Sequence, residues 1–266
     1  IRERFGEKIY DNAIITEGGE VGIPELSNQY SKFPKPYLIT SVWDKEYVDN
    51  EIGKIGSSGF GFDMNELFKN DGTTFDSEEN VGVMMRYYFG TPDKKEEYNK
   101  QAFYRNRGIL PRIKRICSNG CRTLQSSSRF KTSQLWFLPY GPGNKIAGVV
   151  NSLLNLLNSK NEFNDIKKSY HFYVAVEDDS WKGKKGKTFD NVTYMDKPAD
   201  IRYDIERVEK QISDGELKGD NLIILAGARL QLGISFVNVD IVALWNTVES
   251  TDANFQMLFR SMTEKS

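Results

Sequence analysis

Near the carboxyl end, in "STDANFQMLFRSM", Gln256 and Arg260 stand four residues apart. On a helix that spacing puts an amide and a guanidinium one turn apart on one face, while Phe255, Leu258, Phe259 and Met262 supply an apolar side. A guanidinium is always charged, planar and forked, and it suits an anion that must be oriented as well as held. The plainer alternative is a helix with its polar face in water. A second concentration of cations lies in "YRNRGILPRIKRICSNGCR", where Arg105, Arg107, Arg112, Lys114, Arg115 and Arg122 could meet phosphates while Phe103 and Tyr104 stack on bases. A solvated basic face is the alternative there.

Other segments imitate chemistry without completing it. "GKKGKT" (183–188) ends like a phosphate-binding loop, but Trp181 stands where the first glycine of G-x-x-x-x-G-K-[ST] belongs. The following "FDNVTYMDKP" has no helical spacing, so the helix dipole that such a loop uses is not expected. "FYVAVEDD" ends a strand pattern in acids that are expected to be solvated rather than metal-bound. "CSNGC" (117–121) offers two thiols, too few for a structural zinc. With a single histidine, His171, and no motif around it, a Ser-His-Asp triad is hard to build.

The elements that must position these groups are clearest in the second half. "SQLWFLPYG" (133–141) reads as a buried strand. "KIAGVVNSLLNLLN" follows with Ile146, Val149, Val150, Leu153, Leu154 and Leu157 at helical spacing and Asn144 as N-cap. "SYHFYVAV" is a second strand. "DKPADIRYDIERVEKQISDG" is a helix with Asp196 as cap, Pro198 in its first turn, an Ile201–Ile205–Val208–Ile212 stripe and Gly215 as stop. "NLIILAG", "VDIVALWN" and the final helix complete a β-α-β-α-β-β-α order, which predicts a parallel sheet covered on both faces. The runs at 222–226 and 241–245 are apolar throughout and are expected to be internal strands. The first half is less regular. It holds a strand candidate "PKPYLITSVW", a Gly-rich loop "GKIGSSGFGFD", and a helix in "SEENVGVMMRYYFG" capped by Ser77 and stopped by Gly90.

At 266 residues with 39% hydrophobic and 27% charged residues, the chain is long enough for one large or two medium domains. A net charge of −1 requires any nucleic-acid surface to be a local patch. Two cysteines suit a reducing compartment, and no apolar run reaches membrane-spanning length, so an intracellular protein without a membrane partner is expected. The chain opens on Ile1 and closes inside a helical pattern, so it is expected to be a piece of a longer protein.

Taken in order, these segments resemble motifs IV, V and VI of superfamily 2 helicases and translocases, in their second RecA-like domain. "LWFLPYGPGNKIAGVV" is similar to motif IV. "LQLGIS" is similar to the motif V turn, with Gly233 and Ile234 matching and Ser235 where Asp is usual. In the Q-x-x-G-R-x-x-R helix of motif VI, Gln256 and Arg260 match, Phe259 replaces the usual Gly, and Thr263 stands where a second Arg belongs. "PYLITS" resembles a remnant of the Ser/Ala-Thr strand that closes the first RecA-like domain, and "FRSMTE" is most similar to divergent helicases of large DNA viruses and phages. The resemblance covers residues 131–266, with 1–130 as an accessory or linking segment.

What the resemblance implies is specific. Arg260 would be the arginine finger and Gln256 would orient the γ-phosphate or attacking water, with Gly233 and Ser235 also near the nucleotide. Pro139, Gly141, Gly227 and Arg229 would join the basic stretch in touching DNA or RNA. ATP and Mg would be bound mainly by a first RecA-like domain outside this chain, which would therefore be inactive alone. The departures at Phe259, Ser235 and Thr263 keep open a non-catalytic RecA-like module that binds nucleic acid or protein.

Overall fold

Three hexapeptides, "TSQLWF", "YHFYVA" and "NLIILA", are buried at every position, as strands covered on both faces must be. The computed structural model describes residues 64–91, 108–117, 132–141, 144–176, 189–195, 201–227 and 239–246. Its elements are α1 (Met64–Leu67), α2 (Glu78–Phe89), α3 (Ile109–Cys117), β1 (Thr132–Phe137), α4 (Ile146–Ser159), a 3-10 turn (Asn161–Phe163), α5 (Asn164–Ser169), β2 (Tyr170–Ala175), β3 (Val192–Tyr194), α6 (Ile201–Ser213), β4 (Asn221–Ala226) and β5 (Ile241–Leu244). The strands form one all-parallel sheet of order β3-β2-β4-β1-β5, flanked by helices. This is an α/β architecture consistent with a RecA-like fold.

Alternation along each strand sorts the side chains into two cores. On one face Trp136, Phe172, Val174, Ile223 and Leu225 meet α4 through Val149, Val150, Leu153 and Leu157, and α2 through Val81, Met85 and Tyr88. On the other, Leu135, Phe137, Tyr173, Leu222 and Ile224 meet the Ile201–Ile205–Val208–Ile212 stripe of α6. The chain moves from β1 to β2 in one direction across the sheet and from β3 to β4 in the other. Right-handed crossovers then put α4 and α6 on opposite faces.

Residues 64–91 belong to the first core, although they precede the expected domain start at 131. Phe68, Val81, Met85 and Tyr88 are each at most 3% exposed there. Tyr88 packs edge-on against Trp136 with ring centroids 4.9 Å apart, and its hydroxyl donates to Gln134 Oε1 at 2.8 Å. Burial pushes the Tyr88 phenol well above its ordinary pKa and that of Tyr170 up to about 12, so both rings stay neutral. Arg86 pairs with Glu162 at 3.0 Å and Lys160 with Glu78 at 2.5 Å, tying α2 to the connection between α4 and β2.

Several local expectations are met and others corrected. Gly90 (φ 72°) and Gly215 (φ 80°) adopt the left-handed conformation that ends α2 and α6. Ser77 occupies the N-cap position of α2 without a side-chain cap bond. Asn144 does not cap α4: Lys145 holds that position, and the Asn144 amide is drawn away to the amino-proximal piece. Among the described residues β5 pairs with β1 alone and is one of the two edge strands, not the expected internal one, with Ile241 to Leu244 half-buried. Its apolar run reflects cover on both faces, Ile241 and Ala243 toward one core and Val242 and Leu244 toward the other, and that cover is independent of in-plane position. "NVTY", read only as non-helical, supplies the short strand β3.

Gly219 sits at φ 90°, where a Cβ would come within 2.8 Å of the His171 backbone nitrogen. Both the torsion and the contact require glycine. "PKPYLITSVW", "GKIGSSGFGFD", "GKKGKT", the acids after β2 and the final helix lie outside the described residues. Among the described residues no helix is long and apolar enough to cross a membrane.

Candidate nucleic-acid interface

β1 and β4 run side by side from Thr132↔Asn221 to Phe137↔Ala226. From their carboxyl ends the chain departs in opposite directions, toward β2 from β1 and toward β5 from β4. In open parallel sheets such a switch point is where ligands bind. β1 extends through buried Leu138 and Pro139, with the Leu138 N–H donating to Ala226 O at 3.0 Å. Tyr140 then emerges, 41% exposed, followed by Gly141.

The turn beyond is fastened. Gly141 and Asn144 exchange backbone hydrogen bonds of 3.2 and 3.0 Å. Asn144 Nδ2 donates to Asn65 O at 2.6 Å, while Asn70 Nδ2 donates to Asn144 Oδ1 at 3.3 Å and to Phe68 O at 3.1 Å. Asn70 Oδ1 accepts from Gly72 N at 3.0 Å. A Cβ on Gly148 would overlap that oxygen, and one on Gly227 would lie 3.2 Å from Ile146 Cγ1. The first turn of α4 is therefore wedged between the β4 end and the 65–75 piece. Lys145 is exposed at its start and makes no side-chain cap bond. Backbone N–H groups, a helix dipole and an ammonium on one rim favour anions.

The edge thus brings together Pro139, Gly141 and Gly227 of the expected nucleic-acid residues. Arg112 is exposed on α3, which turns Ile109, Leu110 and Ile113 toward the first core. Lys114 and Arg115 share that helix. Arg105, Arg107, Arg122, Arg229, Gly233, Ser235, Gln256 and Arg260 lie outside the described residues. No protein-family profile, curated protein or solved structure matches the chain. Sequence reasoning missed Asn65, Asn70, Tyr140 and Lys145. "NDG" at 70–72 is a turn signal that could have flagged the first piece, but nothing local announces that Asn70 reaches a residue 74 positions away.

His171 plays no part at this edge. It is 1% exposed, with Nδ1 3.2 Å from Lys218 O and Nε2 2.8 Å from Thr193 Oγ1. Because a carbonyl only accepts, Nδ1 must carry the proton and Nε2 accepts from the threonine hydroxyl. The ring so ties β2 to β3 and to the loop before β4, and burial holds its pKa down to about 4. In the unfolded chain the value is about 6.5, so between these limits only the unfolded state binds the proton. The stability contribution is full above about pH 6.5 and is lost as pH falls toward 4, by about 1.4 kcal/mol per unit. Urea unfolding at pH 7 and pH 5 should show a loss of about 2 kcal/mol that His171→Gln largely removes. An equal loss in that variant would assign the acid sensitivity to other groups.

Proposed function

We propose that this chain is part of an ATP-dependent helicase or translocase, supplying the arginine-finger side of an ATP site and part of a nucleic-acid groove. The observation that supports this reading best is the pairing of β1 with β4. It sets the motif IV-like segment and the strand entering the motif V-like segment side by side at the edge formed by the carboxyl ends of an all-parallel sheet. DNA or RNA would lie along that edge and the basic stretch, its phosphates met by Lys145, Arg112 and their neighbours. The first RecA-like domain of the same protein would bring ATP and Mg to Gln256 and Arg260. Phosphoryl transfer needs positioning and cations more than covalent chemistry, which is what these residue types can supply. The second reading, a non-catalytic RecA-like module, is favoured by Thr263 and Phe259 in the motif VI-like helix.

Nucleic-acid contact is tested by equilibrium binding of a labelled single strand over a salt series. Affinity should fall steeply with salt, and Arg112→Gln, Lys114→Gln and Arg115→Gln should each lower the log–log slope by about 0.7 per lost phosphate contact. Binding indifferent to salt and to these changes would return α3 to a solvated face. Weak or absent turnover of ATP by residues 1–266 alone belongs to the same expectation, since Trp181 interrupts the one loop that imitates a phosphate cradle.

A further inference from the structure

Thr132 to Pro139 are buried without a break, and the next side chain, Tyr140, is 41% exposed. Among the described residues the other exposed large hydrophobic is Tyr203, 74% exposed. The two settings differ. Tyr203 stands on the outer face of α6 between the ion-paired Arg202 and Arg207, where a solvated side chain is ordinary. Tyr140 stands at the switch point, with φ-restricted Pro139 before it and Gly141 after it, the latter bonded both ways to Asn144. Asn144 is itself tied to Asn65 and Asn70. An aromatic ring on a backbone held from both sides loses little freedom when something stacks on it.

Its surroundings indicate what that partner is. Gly141 places no side chain beside the ring; among the described residues a Cβ there would meet only Asn65 Oδ1, at 3.9 Å. Five residues along, Lys145 is an exposed cation at the start of α4. A flat apolar surface and a cation at the two ends of one turn, closed by the Gly141–Asn144 backbone bonds, suit a nucleotide of a strand, base on the ring and phosphate toward the ammonium. Paired bases in a duplex do not present their faces, so the strand must be single at this point.

We propose that Tyr140 is a stacking platform for one base of a single-stranded nucleic acid crossing the β1–β4 edge, with Lys145 meeting the adjoining phosphate. The inference rests on the nucleic-acid reading above and adds to it a contact to a base, where the motif-like residues suggest backbone contacts. The ring selects for an unstacked base of any identity, since every base has a π-face.

The test is binding of fluorescent oligothymidylate and oligouridylate to the whole chain, compared among wild type, Tyr140→Ala, Tyr140→Leu and Tyr140→Trp. Loss of the ring in Tyr140→Ala and Tyr140→Leu should weaken binding about tenfold or more, while Tyr140→Trp stays close to wild type. The salt slope should be unchanged in all three, because a stack and not a phosphate contact is altered, whereas Lys145→Gln should flatten it. A strand carrying 2-aminopurine should lose fluorescence on wild-type binding and much less on Tyr140→Leu. Urea unfolding midpoints near wild type for Tyr140→Leu separate this from a folding defect. If the wild type binds no strand, both the function and the inference fall. If it binds with the expected salt slope and Tyr140→Leu binds equally well, the inference alone is overturned. Weakened affinity for free ATP with unchanged strand binding would likewise overturn it, placing a mononucleotide base on the ring.

Discussion

Replacing Arg260 with alanine, in protein joined to the ATP-binding domain proposed above, is expected to lower ATP turnover by about 10³-fold or more, the range of arginine fingers. Nucleotide and nucleic-acid affinities should stay within a few-fold of wild type. The asymmetry follows from where the charge appears. A guanidinium set against the γ-phosphate meets charge that grows toward the transition state, so its loss shows in the rate and hardly in ground-state binding. Arg260→Lys should rescue poorly, because a point charge cannot reproduce the planar fork. Gln256→Ala should lose less, since a neutral hydrogen bond is weaker than a charge-assisted one. Single-turnover hydrolysis beside equilibrium ATP binding separates the two quantities. Near-normal hydrolysis by Arg260→Ala would remove the role proposed for that residue.

The second large effect concerns the fold. Trp136 is completely buried, its ring 4.9 Å from Tyr88, 5.7 Å from Phe89 and 5.2 Å from Trp245, centroid to centroid. Its Nε1 donates to Gln134 Oε1 at 3.0 Å, the oxygen that also accepts from Tyr88. Trp136→Ala would open a cavity between the sheet and α2 and remove one donor to that oxygen. A loss of about 3–5 kcal/mol is expected, a large part of the about 5–15 kcal/mol that holds a domain folded. Because Tyr88 and Phe89 come from α2, the loss should appear equally in probes of the amino-proximal helices and of the sheet. Urea unfolding followed by tryptophan fluorescence and far-ultraviolet circular dichroism would check this. Two separate transitions, with only the sheet affected, would show that residues 64–91 fold apart from it.

The sheet was legible because its strands are nearly pure hydrophobic runs and its crossover helices carry clean stripes. Ile201–Ile205–Val208–Ile212 followed by Gly215 locates the carboxyl end of α6, while its expected start at Asp196 and Pro198 lies outside the described residues. In-plane order was not legible. Nothing in "DIVAL" says whether a second strand pairs on its far side, because cover on the faces and pairing in the plane are separate facts. β3 was invisible for a related reason: a strand of three residues carries no period. The interface shows the same division. Pro139, Gly141 and Gly227 could be named from motif-like segments, whereas Asn65, Asn70 and Asn144 act through side-chain bonds spanning more than seventy positions. Asn144 illustrates the limit best. Its type and place fit an N-cap, and a tertiary partner competed successfully for the same amide.

The most direct test of the account is ATP turnover by residues 1–266 alone and by the same chain joined to the ATP-binding domain proposed for it, each with and without single-stranded nucleic acid. The account predicts no appreciable turnover by the chain alone. On the proposed reading the joined protein should hydrolyse ATP faster when a strand is added and lose that activity in Arg260→Ala. Steady, strand-stimulated hydrolysis by residues 1–266 alone, or none by the joined and folded protein, would contradict it.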